Sequence, residues 1–411
     1  MLSIAYRLLL WAGLPLLLLY TITVGVRSRS FRYILQRFGL RLPAMSKQPL
    51  WIHCVSVGEL NTALVLLEQW LDRYPEDRIL VTTSTTSAAT VFASKADARM
   101  QHCYLPLDYR WSIMRFLKTL KPRVAIVMET EVWFNLFHGC AELNIPSVII
   151  NARLSKRTAE ANVWLRRYYQ QSLALTKAIY AKSERDRDTY MRVGVVPWKI
   201  KTLGNLKYAV QFADRQLPNL INKPYILAAS THDDEELQIA KAWQQIEHGN
   251  FALVIAPRHP QRLQKILHTL NRHRIRAHCY HPNATIGDGD TVVYDRIGQL
   301  PQLIKHAHLV FLGGSLIDKG GHNILEAAML GTPQVTGFYL DNIAEEAQAL
   351  NQAGGLIIVD SANALPDIFT RVVQQPNYYQ QNAVAAKNYL AQRADVAQNY
   401  IAELVSLNFQ P

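Results

Sequence analysis

The sequence predicts an α/β fold: two Rossmann-like domains facing each other across a cleft, preceded by an N-terminal membrane helix. Three observations carry this. Beyond residue 48, short apolar runs alternate with longer amphipathic segments, the pattern of βαβ units in a parallel sheet. The pattern pauses near residue 208 and resumes near 225. Residues 8–26 contain no charged side chain.

The uncharged stretch lies between Arg7 and Arg27 and is 19 residues long. As a helix it reaches about 28 Å, close to the roughly 30 Å of a bilayer's hydrocarbon. A cleaved signal peptide has a shorter apolar region, with its positive charge mainly in front. Here most of the charge follows, as Arg27, Arg29, Arg32 and Arg37. The positive-inside rule then leaves the body of the protein on the cytoplasmic face of a membrane, held by a single N-terminal anchor. Pro15 weakens a straight span, so a segment lying in the interface is the alternative.

In the first domain the expected strands include Leu50–Val55, Ile79–Thr83, Val124–Met128, Ser147–Asn151 and Ala178–Ala181. Helical patterns lie between them, for example Leu60–Tyr74 and Trp164–Leu175. Residues 208–224 read as a linker. The second set of strands is Tyr225–Ala229, Ala252–Ala256, Thr291–Tyr294, Leu309–Leu312 and Leu356–Val359. A last helical pattern, about Gln380–Leu407, follows. The expected divisions are an anchor at 1–30, a first domain at 31–207, the linker, a second domain at 225–378, and a C-terminal helix within 379–411 that packs back toward the first domain.

The bulk composition agrees. The chain has 411 residues, 49% hydrophobic and 18% charged. That is enough for two or three domains, each with a core. The net charge of +12 is uneven: residues 1–210 hold 29 Lys and Arg against 14 Asp and Glu, and residues 211–411 hold 15 against 18. A basic half suits an anionic membrane surface or a phosphorylated substrate. It lacks the motifs of nucleic-acid readers, so no nucleic-acid partner is expected. Cys54, Cys103, Cys140 and Cys279 are too scattered for a zinc or disulfide framework. H-E-x-x-H, G-x-x-x-x-G-K-[ST] and G-x-S-x-G are absent, which argues against zincins, P-loop NTPases and serine hydrolases.

Open α/β sheets bind ligands at the carboxyl ends of their strands, so the turns there hold the candidate residues. Ser56-Val57-Gly58-Glu59 joins the first strand to its helix. Glu59 can serve as a general base if burial raises its pKa toward neutral. A Glu in a first helical turn also suits the macrodipole, and local sequence leaves both roles open. Met128-Glu129-Thr130-Glu131 ends another strand, and Leu203-Gly204-Asn205-Leu206-Lys207 closes the domain. Lys207 is either a phosphate contact or a surface lysine.

In the second domain, Gly313-Gly314-Ser315 follows a strand, and Gly320-Gly321-His322-Asn323 opens a helix at Ile324–Leu330. Two glycine pairs, a His and Glu326 at this spacing point to a nucleotide phosphate site. Pro257-Arg258-His259-Pro260 ends a strand, where an Arg suits a phosphate or carboxylate. Ile297-Gly298-Gln299 is a turn that can line a base pocket through its backbone.

In this order the motifs resemble the 3-deoxy-D-manno-octulosonic acid (Kdo) transferases of lipopolysaccharide synthesis. The matching segments are WIHCVSVGE, LPLDYRW, VMETEVWFN, IPSVIINARLSKR, LGNLKY, APRHPQR and FLGGSLIDKGGHNILEAA. They run from about residue 50 to 340, and the apolar start matches the family's membrane anchor. The resemblance implies the GT-B fold, with the acceptor on the first domain and the donor nucleotide on the second. It implies transfer of Kdo from CMP-Kdo to a lipid A precursor with inversion, at the bacterial inner membrane. Carried over, Glu59 matches the proton acceptor, and Glu129 and Lys207 the transition-state stabilisers. Pro257 and Arg258, Ile297, Gly298 and Gln299, and Asn323, Ile324, Leu325 and Glu326 match the CMP-binding segments.

Two departures stand out: Gln299 replaces a common Glu, and Ile324 replaces a common Pro. A bis-phosphorylated glycolipid acceptor would suit the basic half, with Arg153, Lys156 and Arg157 as candidate contacts. No cofactor is expected, and no obligatory metal, since a nucleoside monophosphate leaving group needs less metal help than a diphosphate. The alternatives are another GT-B sugar-nucleotide transferase or epimerase, and a non-catalytic membrane-bound nucleotide- or lipid-binding protein.

Overall fold

The computed structural model describes residues 2–45, 48–95, 97–154, 158, 160–209, 217–282 and 284–407. The chain forms two compact units, Met1–Val210 together with Ala394–Pro411, and Gln211–Arg393. Each is built on a seven-stranded parallel sheet.

In the first unit the strands are β1 (Leu50–Cys54), β2 (Ile79–Thr83), β3 (Met100–Tyr104), β4 (Val124–Met128), β5 (Ser147–Ala152), β6 (Ala178–Ala181) and β7 (Ile200–Thr202). Their order is β3-β2-β1-β4-β5-β6-β7. The inner strands are apolar at nearly every position because both faces are covered. Ile52, Val81, Ile126 and Ile150 face one layer of side chains; Trp51, Leu80, Val127 and Ile149 face the other. The first layer includes helix Val57–Arg73 and the C-terminal helix Val396–Ser406, whose Tyr400 is fully buried.

The second unit has β8 (Tyr225–Thr231), β9 (Ala252–Pro257), β10 (Ala277–Cys279), β11 (Thr291–Val293), β12 (Leu309–Leu312), β13 (Gln334–Thr336) and β14 (Ile357–Ile358). Their order is β10-β11-β9-β8-β12-β13-β14. In both sheets the direction of crossover reverses beside the first strand, between β1 and β4 and between β8 and β12. That reversal opens a crevice at the strands' carboxyl ends.

Several details differ from the sequence reading. β3, β7, β10 and β13 are additional strands; they are short or carry polar residues such as Gln101, Lys201 and Gln334, which dilute an apolar signal. The helix expected from Leu60 starts at Val57, because Ser56 caps it and accepts a hydrogen bond from the Glu59 amide. The single C-terminal helix is two. Gln380–Ala391 buries Ala383, Ala386 and Leu390 within the second unit, and Val396–Ser406 belongs to the first. The expected linker at 208–224 lies partly outside the described residues.

The N-terminal helix runs from Leu2 to Arg27 and continues through Pro15. Its segment Leu8–Arg27 is long and apolar enough to cross a membrane, and Leu8, Leu9, Trp11, Leu16 and Leu19 are exposed. The helix also packs on the first unit. The Tyr6 hydroxyl donates to Asp108 at 2.7 Å, and the Tyr109 hydroxyl donates to the Leu10 carbonyl at 2.6 Å.

Candidate active site

The turn after β1 places Glu59 at the β1/β4 crevice. Its two oxygens accept hydrogen bonds from the Val55 amide at 2.8 Å and the Ser56 hydroxyl at 3.2 Å. Ser56 and Glu59 thus form a reciprocal cap, which fixes the carboxyl group. Burial is the main force on its protonation. Together with the negative charge of Glu129 and Glu131, and against the Val55 amide, it pushes the Glu59 pKa up to about 7. Glu59 therefore caps the helix, and its carboxyl group exchanges its proton near neutral pH.

Glu129 follows β4 directly. Its backbone is left-handed, with φ of 55°, and its amide bonds to the Ile150 carbonyl at 3.0 Å. A non-glycine residue held there costs of order 1–2 kcal/mol, a strain that tends to collect at functional sites. Arg153, after β5, brings its guanidinium to 3.9 Å from the Glu129 carboxylate. The buried Tyr190 hydroxyl reaches the Arg153 carbonyl at 3.3 Å. Burial also raises the pKa of Glu131. Lys156 and Arg157 lie outside the described residues.

Lys207 sits in a short 3-10 turn, Leu206–Ala209, whose Leu206 and Ala209 pack into the core beside helix Val57–Arg73. The turn is tied to the sheet: the Leu206 amide donates to the Asn151 side chain at 3.0 Å. Tyr400 accepts from the Asn151 amide at 3.2 Å and donates to the Gly204 carbonyl at 3.0 Å.

In the second unit one expectation is corrected. The Gly313-Gly314-Ser315 turn does not leave its amides open for a phosphate. The carboxylate of Glu235, itself fully buried, accepts from Gly314, Ser315 and Leu316 at 2.7, 3.0 and 3.0 Å, and from the His232 amide at 2.9 Å. Gly313 is still required, since a Cβ there would lie 2.6 Å from the Ser230 carbonyl oxygen.

The other expected donor residues are placed as follows. Pro257 ends β9, and Arg258 follows it, exposed. In the turn 297–299, Ile297 is 85% exposed and Gly298 has φ of 86° with open space above it. The Gln299 side chain accepts from the Tyr294 hydroxyl, a bond a Glu would make equally well. The helix expected from Ile324 starts at Leu325, and the Asn323 side chain accepts from the Leu325 amide at 3.1 Å. Ile324 and Leu325 are core residues, so only their backbone can meet a ligand. Glu326 is half-buried.

Sequence reasoning missed Asn151, Tyr190, Glu235 and Tyr400. Asn151 lies inside a recognised motif and has φ of 48°, a conformation Asn adopts more readily than most residues. The other three look like ordinary helix positions until the fold brings them to the strand ends.

The sequence profile described as 3-deoxy-D-manno-octulosonic-acid transferase matches residues 32–210. A 3-deoxy-D-manno-octulosonic acid transferase of Haemophilus influenzae is 33% identical over 376 residues, covering 88% of each chain. One of Bordetella pertussis is 27% identical over 371 residues, covering 85% of each. Among solved structures, the fold is shared with a UDP-GlcNAc 2-epimerase of Neisseria meningitidis bound to UDP-GlcNAc. That match has a TM-score of 0.59 at 15% identity, over 88% of this chain and all of the other. A glycosyltransferase of Rickettsia africae also gives 0.59, at 12% identity over 87% of this chain and 98% of the other. The chain is therefore a glycosyltransferase of the GT-B fold and belongs to the 3-deoxy-D-manno-octulosonic acid transferase family.

Proposed function

We propose that this protein transfers Kdo from CMP-Kdo to a lipid A precursor in lipopolysaccharide synthesis, with inversion, and that Glu59 is the general base. The observation that carries the base assignment is the burial of Glu59 at the β1/β4 crevice near Glu129 and Glu131, which raises its pKa to about 7. In one displacement, the acceptor hydroxyl attacks the anomeric carbon of Kdo and gives its proton to Glu59. The bond from that carbon to the phosphate oxygen breaks, and the electron pair leaves with CMP. Glu129, 3.9 Å from the Arg153 guanidinium, and Lys207 are assigned to stabilising the transition state. Arg153, with Lys156 and Arg157, is assigned to the acceptor's phosphates.

CMP is assigned to Pro257 and Arg258, the turn 297–299 and the segment Asn323–Glu326. The open backbone at Gly298 and the buried side chains of Ile324 and Leu325 favour recognition through main-chain groups. That explains how the chain tolerates Gln299 and Ile324. Transfer from CMP-Kdo to the tetra-acylated precursor, compared between wild type and Glu59→Ala, tests the base. Full activity of the variant removes Glu59 from that role. Thermal protection by UDP but not by CMP would overturn the donor assignment.

The N-terminal helix is assigned to the cytoplasmic face of the inner membrane, lying in the interface rather than crossing it. Tyr6 and Leu10 bond to Asp108 and Tyr109, while Thr21 and Gly25 are buried at the other end. The contacts at Tyr6 and at Gly25 lie about 28 Å apart along the helix, and Gly25 packs against Ile34 of the next helix. A spanning helix would draw those contacts into hydrocarbon. Arg27, Arg29 and Arg32 are exposed beside it, each worth about 1 kcal/mol against anionic lipid.

A further inference from the structure

Three histidines meet at the carboxyl ends of β8, β9 and β12. His232 follows β8, His259 follows β9, and His322 lies in the glycine-rich segment after β12. The Nε2 atoms of His232 and His322 are 2.8 Å apart, and their rings are inclined by only 20°. The His259 ring stands edge-on to His232 at 5.8 Å. At that separation the two Nε2 atoms share one proton. One nitrogen carries it and the other presents its lone pair, because two N–H groups cannot point at each other. The Nε2 lone pair of the acceptor ring is engaged in this contact, so the pair can take a further proton only on Nδ1 of the ring whose Nε2 already carries hydrogen, which leaves the contact intact.

The surroundings decide when that proton binds. Burial and the nearby cations act against it: Arg258 and His259 face His322, and His259, Arg262 and Lys319 face His232. These hold the His322 pKa down to about 4 and lower that of His232. Among the described residues, Glu235 supplies the opposing charge on His232, and its carboxylate is already engaged by four backbone amides. Arg262 is likewise committed, to Glu236 and Asp233. An anion arriving among Arg258, Lys319 and the histidines reverses the balance, since it offsets the positive field that keeps the rings neutral.

We infer that the His232–His322 pair is a proton-coupled anion site that takes up one proton when the phosphate of the nucleotide binds. The inference rests on the nucleotide reading of this unit and adds to it. In a CMP-sugar the phosphate is a diester with a single negative charge, and as CMP departs it becomes a monoester with a second. A pair that gains a proton from solvent as that second charge appears favours the departed phosphate over the bound donor. His232 and His322 thereby help bond breaking without any bond to the sugar.

Calorimetric titration of the full-length protein with CMP, at pH 7.5 in two buffers of different ionisation enthalpy, tests this. At that pH CMP is already a dianion, so the ligand contributes little to the proton balance. The expected result is uptake of close to one proton per CMP. CMP affinity should also fall by up to tenfold per pH unit between pH 7 and 8.5. Cytidine, which lacks the phosphate, should bind without uptake. His322→Gln and His232→Gln, each verified as folded by thermal melting, should bind CMP with uptake near zero. Binding of CMP to the wild type without proton uptake overturns the inference, as does unchanged uptake in folded His322→Gln. No CMP binding to the wild type at all overturns the nucleotide reading itself. The wild-type buffer comparison with cytidine decides the matter even if both variants fail to fold.

Discussion

Glu59 and Glu129 lie just beyond the carboxyl ends of the adjacent strands β1 and β4, and the negative charge of Glu129 helps to hold a proton on Glu59. Burial is the larger cause of the raised pKa. Activity should therefore rise with pH through about 7, as Glu59 loses its proton and becomes competent as a base. Glu59→Gln should lower kcat by about 10²–10⁴-fold and abolish that limb of the pH–rate profile. A variant that keeps the limb would assign it to another group.

Removing the neighbouring charge should move the same limb. Glu129→Gln takes away a repulsion that favours protonated Glu59, so the rising limb should shift to lower pH even though the rate falls. An unshifted limb would show that the two carboxyl groups are not coupled in solution.

Stability should carry a matching signature. Glu59 and Asp108 are both raised to about 7, whereas in the unfolded chain they ionise near 4. Between those values the folded state holds more protons than the unfolded one, so stability falls as pH rises through that window. Denaturant melts from pH 4 to 8 should show the decline, and Glu59→Gln should make it shallower.

Tyr400 ties the C-terminal helix to Asn151 and to the Gly204 carbonyl. Tyr400→Phe leaves the buried Asn151 amide without that partner and should cost about 1–2 kcal/mol. Since Asn151 also anchors the turn that carries Lys207, kcat should fall as well. A variant with reduced stability but full kcat would confine Tyr400 to a packing role.

Glu235 accepts four backbone hydrogen bonds in a fully buried position. Glu235→Ala should destabilise the second unit by about 3 kcal/mol or more, through several unpaired amides. If those amides were instead a phosphate site, the variant would bind CMP more tightly. The expected result is weaker binding, read by titration calorimetry.

The orientation of the N-terminal helix is checked with Ser3→Cys in sealed inner-membrane vesicles of known sidedness. An in-plane helix leaves that position on the same face as the catalytic units. An impermeant maleimide should then label it from that side only. Labelling from the opposite side would establish a span.

Much of this protein follows from sequence alone because the signals are local. Short continuous apolar runs and helical patterning report burial, so β1, β2, β4, β6 and β12 are legible within a residue or so. The Ser56–Glu59 spacing is a cap written into four residues, and the uncharged stretch at 8–26 needs only its length. Edge strands such as β7 and β10 are three residues long and leave too little pattern to read.

What the tertiary structure decided depends on residues far apart in the chain. Glu59 gains its proton affinity from burial and from Glu129, 70 positions away. The glycine pair at Gly313-Gly314 reads as a phosphate turn until Glu235, from the first turn of the helix after β8, fills it. His232 and His322 are 90 positions apart and become one site only because β8 and β12 are neighbours in the sheet. Charge and desolvation act through space, so a sequence can nominate such groups, but the fold assigns their chemistry.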